Sequence, residues 1–562
     1  MSEQQADFNI RSLGSFYFPD KTLFRVYAPD YSELDLVIKG RSYAMHRNGA
    51  CFEIAISGDL EKAGYHFEGD GVSFRDPFSY LDIGKESIVL NRKKFLNETI
   101  VPVNGFRTPI IYECSVRDFS ADRSFTGKHK KKFLGLSEEG LKIKGQPIGL
   151  DHLVYLGITH LQLMPILEFD YDKSTYNWGY NPIAYNYVQK DFVYDQKDPY
   201  AYINELRKTV NILHKKGIRV TLDVVFNHVY DHKKNDLGKM LKGRLYRYKD
   251  NGEIAQGSLC GNEVKSEDPF VRAYFVEMVT RYLKLYDIDG IRMDLMGMLD
   301  IETINAIRNE LCFFKKDFLV YGEGWNMGDV LPEGERASIN NYRQLPGVRM
   351  FNDFFRDTII NYISGNNEIK EEVKRALAAN EAYLDQEHTL NYVECHDNYT
   401  MIDRMNLYKS DEPKWLAAKR CKLALSLLLI ARGAPFIHMG EEFNRTKYGL
   451  RDSYNSGDHI NAIDWELRVE NAQLCDYVRD LIRIRKENSC FDDPETTIDF
   501  YEYYECLVFR LGTMKIIINP TVHDYVYDDG QTYDVIFSER GACDYRNNLI
   551  TVSSVSLVIC KL

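Results

Sequence analysis

No stretch of this chain is apolar for long enough to cross a membrane as a helix. A span needs roughly 18 such residues, and the longest candidate, Leu423 to Ile430, is far shorter and reads as a buried helix. Cysteines occur, but never as Cys-x-x-Cys, and no Cys/His run has metal-site spacing, so no metal is expected. The 11 cysteines are an odd number scattered along the chain, which points to free thiols in a reducing compartment. Positive charge is in deficit: 71 Lys and Arg against 83 Asp and Glu give a formal net charge of −12. That balance argues against nucleic acid or an anionic membrane surface as a partner, and plain solubility accounts for it equally well. The opening Met1-Ser2-Glu3-Gln4-Gln5-Ala6-Asp7 has neither a basic flank nor an apolar run. It does not read as a secretory leader, and a cytoplasmic location is expected. Gly322-Glu323-Gly324 to Gly328 is glycine-rich, yet its spacing is not that of a dinucleotide fingerprint, and no cofactor is expected. No internal repeat or low-complexity linker interrupts the chain, so rigidly docked domains are expected.

At 562 residues the chain exceeds one simple core, and two to four domains are expected. From about Ser15 to Leu90 it shows short alternating strands with turn residues, such as Thr22 to Pro29 and Leu34 to Ile38. From about Arg107 to Glu487, strand-like runs alternate with amphipathic helices such as Pro199 to Lys216, Asp268 to Leu285 and Lys414 to Ala431. The strands are placed at Ile110 to Cys114, His160 to Met164, Val220 to Phe226, Gly290 to Asp294, Phe318 to Gly322, Val348 to Phe351, Leu390 to Glu394 and Phe436 to Met439. Eight such repeats imply a closed (β/α)8 barrel, with an open doubly wound sheet as the alternative. From about Cys490, short strands return, including Phe500 to Tyr504 and Ser554 to Cys560. The expected architecture is multidomain: an N-terminal β-sandwich over 1–104, the barrel over 105–489 and a C-terminal antiparallel β domain over 490–562.

Four segments place acidic or histidine residues at the ends of these strands. They are Asp223 to His228, Gly290 to Asp294, Val320 to Trp325 and Tyr392 to Asn398. Parallel barrels build their active sites at that end. Taken singly, each has a plainer reading: Arg292-Met293-Asp294 as a structural ion pair, Asn227-His228 as a turn, Trp178 as core. Their joint order resembles the four signature regions of the α-amylase superfamily, glycoside hydrolase family 13. A fifth segment, Tyr176-Asn177-Trp178-Gly179-Tyr180-Asn181-Pro182, resembles the YNWGYxP motif of type I pullulanases, which cut α-1,6 branch linkages in glucans. The string Phe24-Arg25-Val26-Tyr27-Ala28-Pro29 resembles the carbohydrate-binding module family 48 found in debranching enzymes, often as a packing domain.

The resemblance implies a retaining hydrolase acting on α-glucans. Breaking a glycosidic bond takes two carboxyl groups on opposite sides of it. Asp294 would be the nucleophile, held ionised by Arg292 on the same strand face. Glu323 would be general acid and then base. Asp397 would grip sugar hydroxyls. Asp223, His228 and His396 would hydrogen-bond the same sugar, with Asn398 beside them. Tyr180 would offer a ring face, Trp325 would line the leaving-group side, and Asp458 is similar to a further sugar-binding Asp. In many relatives the residue at the position of Asn227 binds calcium; here an Asn that fixes its loop fits better, because no second carboxylate ligand is found. Two departures touch substrate preference: Ser115 stands where His is common, and Asn181 where Asp is commoner.

The implied partners are α-glucan oligosaccharides or polysaccharides from glycogen or starch, and a monomer is expected. An isoamylase-like debranching enzyme or an α-1,4-cleaving neopullulanase is the enzyme alternative. An inactive glucan-binding barrel is the non-enzyme alternative; such relatives lose a catalytic carboxylate, whereas Asp294, Glu323 and Asp397 are all present.

Overall fold

The computed structural model describes residues 9–102, 108–171, 175–328, 330–379, 383–539, 545–546 and 549–561. The opening heptapeptide and the expected boundary at 104/105 lie outside the described residues.

Two antiparallel sheets face each other at the N-terminal end. One is built on Lys21–Tyr27 and Cys51–Ser57, the other on Asp35–Ile38 and Gly64–Gly69. Alternate residues (Phe24 and Val26; Leu36 and Ile38; Tyr65 and Phe67) are buried, as the pleat dictates when one face of each sheet packs inward. This sandwich is fixed to the barrel by aromatic contacts. Tyr27 stacks on Phe270 at 4.1 Å and Phe78 meets Tyr274 edge-on at 5.3 Å. Arg75 adds a 2.6 Å ion pair to Asp236.

Eight parallel strands then close into a barrel in chain order. They are β1 (Ile111–Cys114), β2 (His160–Leu163), β3 (Arg219–Val224), β4 (Gly290–Met293), β5 (Leu319–Gly322), β6 (Val348–Phe351), β7 (Thr389–Asn391) and β8 (Ala434–His438). β1 pairs with both β2 and β8, which excludes the open doubly wound sheet. The expected helices form at Ala201–Lys215, Pro269–Tyr286 and Lys414–Ile430. Asp268 caps the second through the Phe270 N–H at 2.9 Å, and Pro269 supplies the first turn. The third contains the apolar run from Leu423 to Ile430, all of it buried. Among the described residues, no helix is long and apolar enough to cross a membrane.

β7 is shorter than expected. Its ladder stops at Asn391, where the sequence pattern runs on to Glu394. The reason is a competing set of partners: Glu394 takes the Met401 N–H at 2.6 Å and His438 Nδ1 at 2.7 Å, drawing the chain out of register.

After the helix Ala472–Glu487, a five-stranded antiparallel sheet and a three-stranded one complete the chain. Tyr477 packs on Phe537 at 4.7 Å, and Lys419 Nζ donates to the Ser554 carbonyl at 3.1 Å, so this unit is docked on the barrel as well.

Candidate active site

Strand register assembles the site. Asp223 lies directly opposite Arg292 across β3–β4, and Arg292 lies opposite Tyr321 across β4–β5. The Arg292 side chain is only 1 % exposed and serves three carboxylates at once. Its Nη1 donates to Asp223 Oδ1 and to Asp294 Oδ1, each at 3.0 Å, and its Nη2 donates to Glu323 Oε1. A buried guanidinium is stable only when its donors are matched by charge, and a fork of N–H groups matches carboxylates well.

The second oxygen of each carboxylate is also held. Asn227 Nδ2 donates to Asp294 Oδ2 at 2.8 Å and to the Asp294 carbonyl at 2.8 Å. Asn227 therefore does more than fix its loop; it orients the proposed nucleophile. The Leu295 N–H donates to Glu323 Oε2 at 2.9 Å. Leu295 reaches that position with φ at +40°, a left-handed conformation costly for a leucine and typical of strain held at functional sites. The loops touch so closely that a Cβ on Gly297 would stand 1.9 Å from the Trp325 carbonyl, so only glycine fits there.

Burial and like charge set the proton affinities. Glu323 is pushed up to about 8, first by desolvation, then by Asp294 and Asp397, against the pull of Arg292. Asp223 rises to about 7, again chiefly by burial. His396 behaves differently. Burial alone would lower it, but Asp397 and Glu113 more than offset that and hold it at about 9, so it is a cation at neutral pH.

Asp397 sits at the open side, with 42 % of its side chain exposed against 12 % for Asp294. His396 Nε2 is 3.4 Å from Asp397 Oδ2. Tyr180 stacks on His396 at 5.0 Å with an interplanar angle of 12°, the Arg292 guanidinium lies 5.6 Å from the centre of its ring, and its hydroxyl donates to Asp223 at 2.7 Å. In His228, Nδ1 is 2.6 Å from Asn227 Oδ1 and Nε2 is 3.1 Å from the Tyr180 carbonyl, so both ring nitrogens face protein acceptors. Trp178 is buried and meets His396 edge-on at 5.0 Å. Gly179, at φ +106°, brings that turn against the Pro165 carbonyl, which a Cβ would meet at 2.9 Å. Trp325 is half-buried and donates from Nε1 to Asp353 at 3.1 Å. Asn398 is buried with its Oδ1 unpartnered among the described residues. Asp458 stands apart from the Arg292 cluster; it pairs with Arg117 at 2.7 Å and with Lys131.

No family model matches the chain. The chain is 32% identical to the pullulanase of Bacillus subtilis over 534 residues, covering 89% of this chain and 74% of that protein. The chain belongs to the type I pullulanase family. Its fold superposes on the Paenibacillus barengoltzii pullulanase solved with maltohexaose and alpha-cyclodextrin with a TM-score of 0.92, at 32% identity, over 99% of this chain and 96% of that one. For an Anoxybacillus pullulanase solved with maltotetraose the TM-score is 0.94, at 29% identity, over 99% of this chain and 88% of that one.

In this pullulanase barrel, two features of the site went unread in the sequence. Glu113 on β1 takes the His396 N–H at 3.0 Å and Nδ1 at 2.7 Å, so it fixes both backbone and ring of that histidine. Behind it, Gln162 Nε2 donates to Glu113 at 3.2 Å, Tyr321 donates to Gln162 at 2.6 Å, and Thr221 lies 3.1 Å from the Tyr321 hydroxyl. Four strands of the pullulanase barrel thus share one polar chain leading to the site. The signal was available: Glu113 shares the inward parity of Ile111 in a strand that is otherwise apolar. Ser115, the departure noted in the sequence, accepts the Asp118 N–H at 3.2 Å and closes a turn.

Proposed function

We propose that the chain hydrolyses α-1,6-glucosidic branch linkages in pullulan and in branched dextrins derived from glycogen or starch, with retention of anomeric configuration. The observation that carries this is the hanging of Asp294 and Glu323 from adjacent nitrogens of one guanidinium. A shared guanidinium keeps the two carboxyl groups near each other, which supports a retaining pair; retaining pairs stand about 5–5.5 Å apart, whereas inverting pairs stand about 6.5–9.5 Å apart to admit a water.

The roles follow from the environment of each group. Asp294, partnered by Arg292 and Asn227, attacks the anomeric carbon as a carboxylate. Glu323, raised by burial, carries the proton that the leaving oxygen takes, and then draws a proton from the water that releases the sugar. Asp397 at the open side, with His396 as a cation beside it, holds sugar hydroxyls. Tyr180, stacked on His396, offers a ring surface to the sugar. Asp223, Arg292 and His228 set the frame, Trp325 lines the leaving-group side, and Asn398 and Asp458 add hydrogen bonds further out. Pullulan tests the linkage: maltotriose as the product supports this reading, and panose, which reports α-1,4 cleavage, overturns it.

Glu113→Gln is expected to lower kcat/KM on pullulan roughly 10- to 150-fold, the worth of one charge-assisted hydrogen bond of about 1.5–3 kcal/mol. The His396 titration, followed by NMR, should move down with it because the counter-charge is gone. A normal rate with a shifted His396 would show that the cation is not used.

We also place the enzyme in the cytoplasm, on the support of free thiols at all ten described cysteines; Cys543 lies outside the described residues. Recovery of the activity from the extracellular fraction of intact cells would contradict this.

A further inference from the structure

A cavity of about 200 Å³ begins one residue past Asp397. Three arginines line it: Arg356, Arg404 and Arg451. The first is answered within the wall, because Asp357 takes its Nε at 2.7 Å and its Nη2 at 3.0 Å. Arg404 and Arg451 have no ion pair among the described residues. The Nε of Arg404 is buried without a hydrogen-bond partner there. Asn398, only 8% exposed, lies in the same wall. Burial draws the Arg404 pKa down, the mark of a cation whose counter-charge is incomplete.

A buried guanidinium N–H without a partner, as at Arg404 Nε, is unfavourable, and an anion whose geometry fits planar N–H forks answers it; Arg451, exposed on the same wall, adds positive charge. Neutral sugar hydroxyls accept hydrogen bonds but cancel no charge. A carboxylate of the protein already fills the place beside Arg356, so the excess rests on the other two arginines. We infer that this cavity binds a phosphoryl group through Arg404 and Arg451. Phosphate oxygens take bidentate donation from arginine, and Tyr399 and Tyr408, with rings 6.4 Å apart, flank the space with amphipathic side chains suited to an attached sugar. Two sources share this chemistry: a phosphate ester on a branched dextrin whose neighbouring glucose lies at Asp397, or free inorganic phosphate acting as an effector. The first rests on the function proposed above.

Calorimetric titration of the full chain with inorganic phosphate tests the site without reference to turnover. Saturable binding is expected, weakened about 10-fold or more in both Arg404→Gln and Arg451→Gln, because each loses a charge-assisted bond. Arg451 is exposed, so its variant keeps a fold that can be checked by unchanged pullulan hydrolysis. To separate the sources, kcat/KM is measured on a phosphorylated branched dextrin before and after phosphatase treatment. An ester ligand gives a loss on dephosphorylation in wild type and no such loss in Arg451→Gln. An effector gives equal rates on the two dextrins and a rate that changes with added phosphate. Absence of saturable phosphate binding, or binding unchanged in both variants, overturns the inference. Failure to cleave pullulan would instead overturn the proposed function and leave the calorimetric result standing.

Discussion

Asp294→Asn is expected to abolish turnover of pullulan, with kcat falling on the order of 10⁴-fold or more, as removal of a covalent nucleophile does elsewhere. The amide is isosteric, so glucan binding should persist. Its effect on the fold is small for a specific reason. The carboxylate accepts from Arg292 on one oxygen and from Asn227 on the other. An amide can keep only one of these, losing a charge-assisted hydrogen bond of about 1.5–3 kcal/mol. It also removes a negative charge beside Glu323, which offsets part of that loss. A melting temperature within a few degrees of wild type is expected. Substantial activity in the purified variant would show that the nucleophile is another residue.

Glu323→Gln should lose about 10²- to 10⁴-fold on pullulan, the range for a positioned general acid. A substrate whose leaving group departs without protonation should recover much of its first step. The same carboxyl fixes the alkaline limb of the wild-type profile. As the proposed general acid Glu323 must be protonated, and burial holds it at about 8, so kcat/KM should decline as pH rises through that value. Stability follows the same sign. The folded pKa stands above the ordinary glutamate value of 4.5, so the contribution to stability is complete below 4.5 and is lost as pH rises toward about 8. Glutamine has no charge to bury. The variant should therefore gain melting temperature relative to wild type across that window and be the more stable of the two at pH 9. An equal pH dependence of the two melting curves would mean that Glu323 titrates in the fold as it does in the unfolded chain.

The barrel was legible because its strands are short apolar runs between amphipathic helices, and because polar residues stand where those runs stop. Five of eight strands begin and end within a residue of the expected place because their ladders follow the apolar run; β8 begins two residues early at Ala434, and β3 and β7 end early where Val225 to His228 and Tyr392 to Asp397 turn out to build the site. The cluster of Asp223, Arg292, Asp294 and Glu323 was legible for the same reason: strand parity puts Arg292 and Asp294 on one face. What the sequence hid were partners fixed by register between distant strands. Glu113 and His396 are 283 positions apart, and only closure of the barrel brings them together. The direct bond from Asn227 to Asp294 likewise depends on how far the loop after β3 leans over β4. Arg404, on the helix Met401–Tyr408, and Arg451, in a loop, have no ion pair among the described residues, and they come together only in the fold.

The proposed mechanism requires Asp294 and Glu323 to act as a retaining pair. Proton NMR on the first minutes of pullulan digestion reads this directly, from the anomeric signal of the new reducing ends before they equilibrate. The α-anomer of maltotriose is predicted to appear first and the β-anomer to grow in at the rate of mutarotation. Initial release of the β-anomer would contradict the assignment of Asp294 as nucleophile and require a water between the two carboxyl groups.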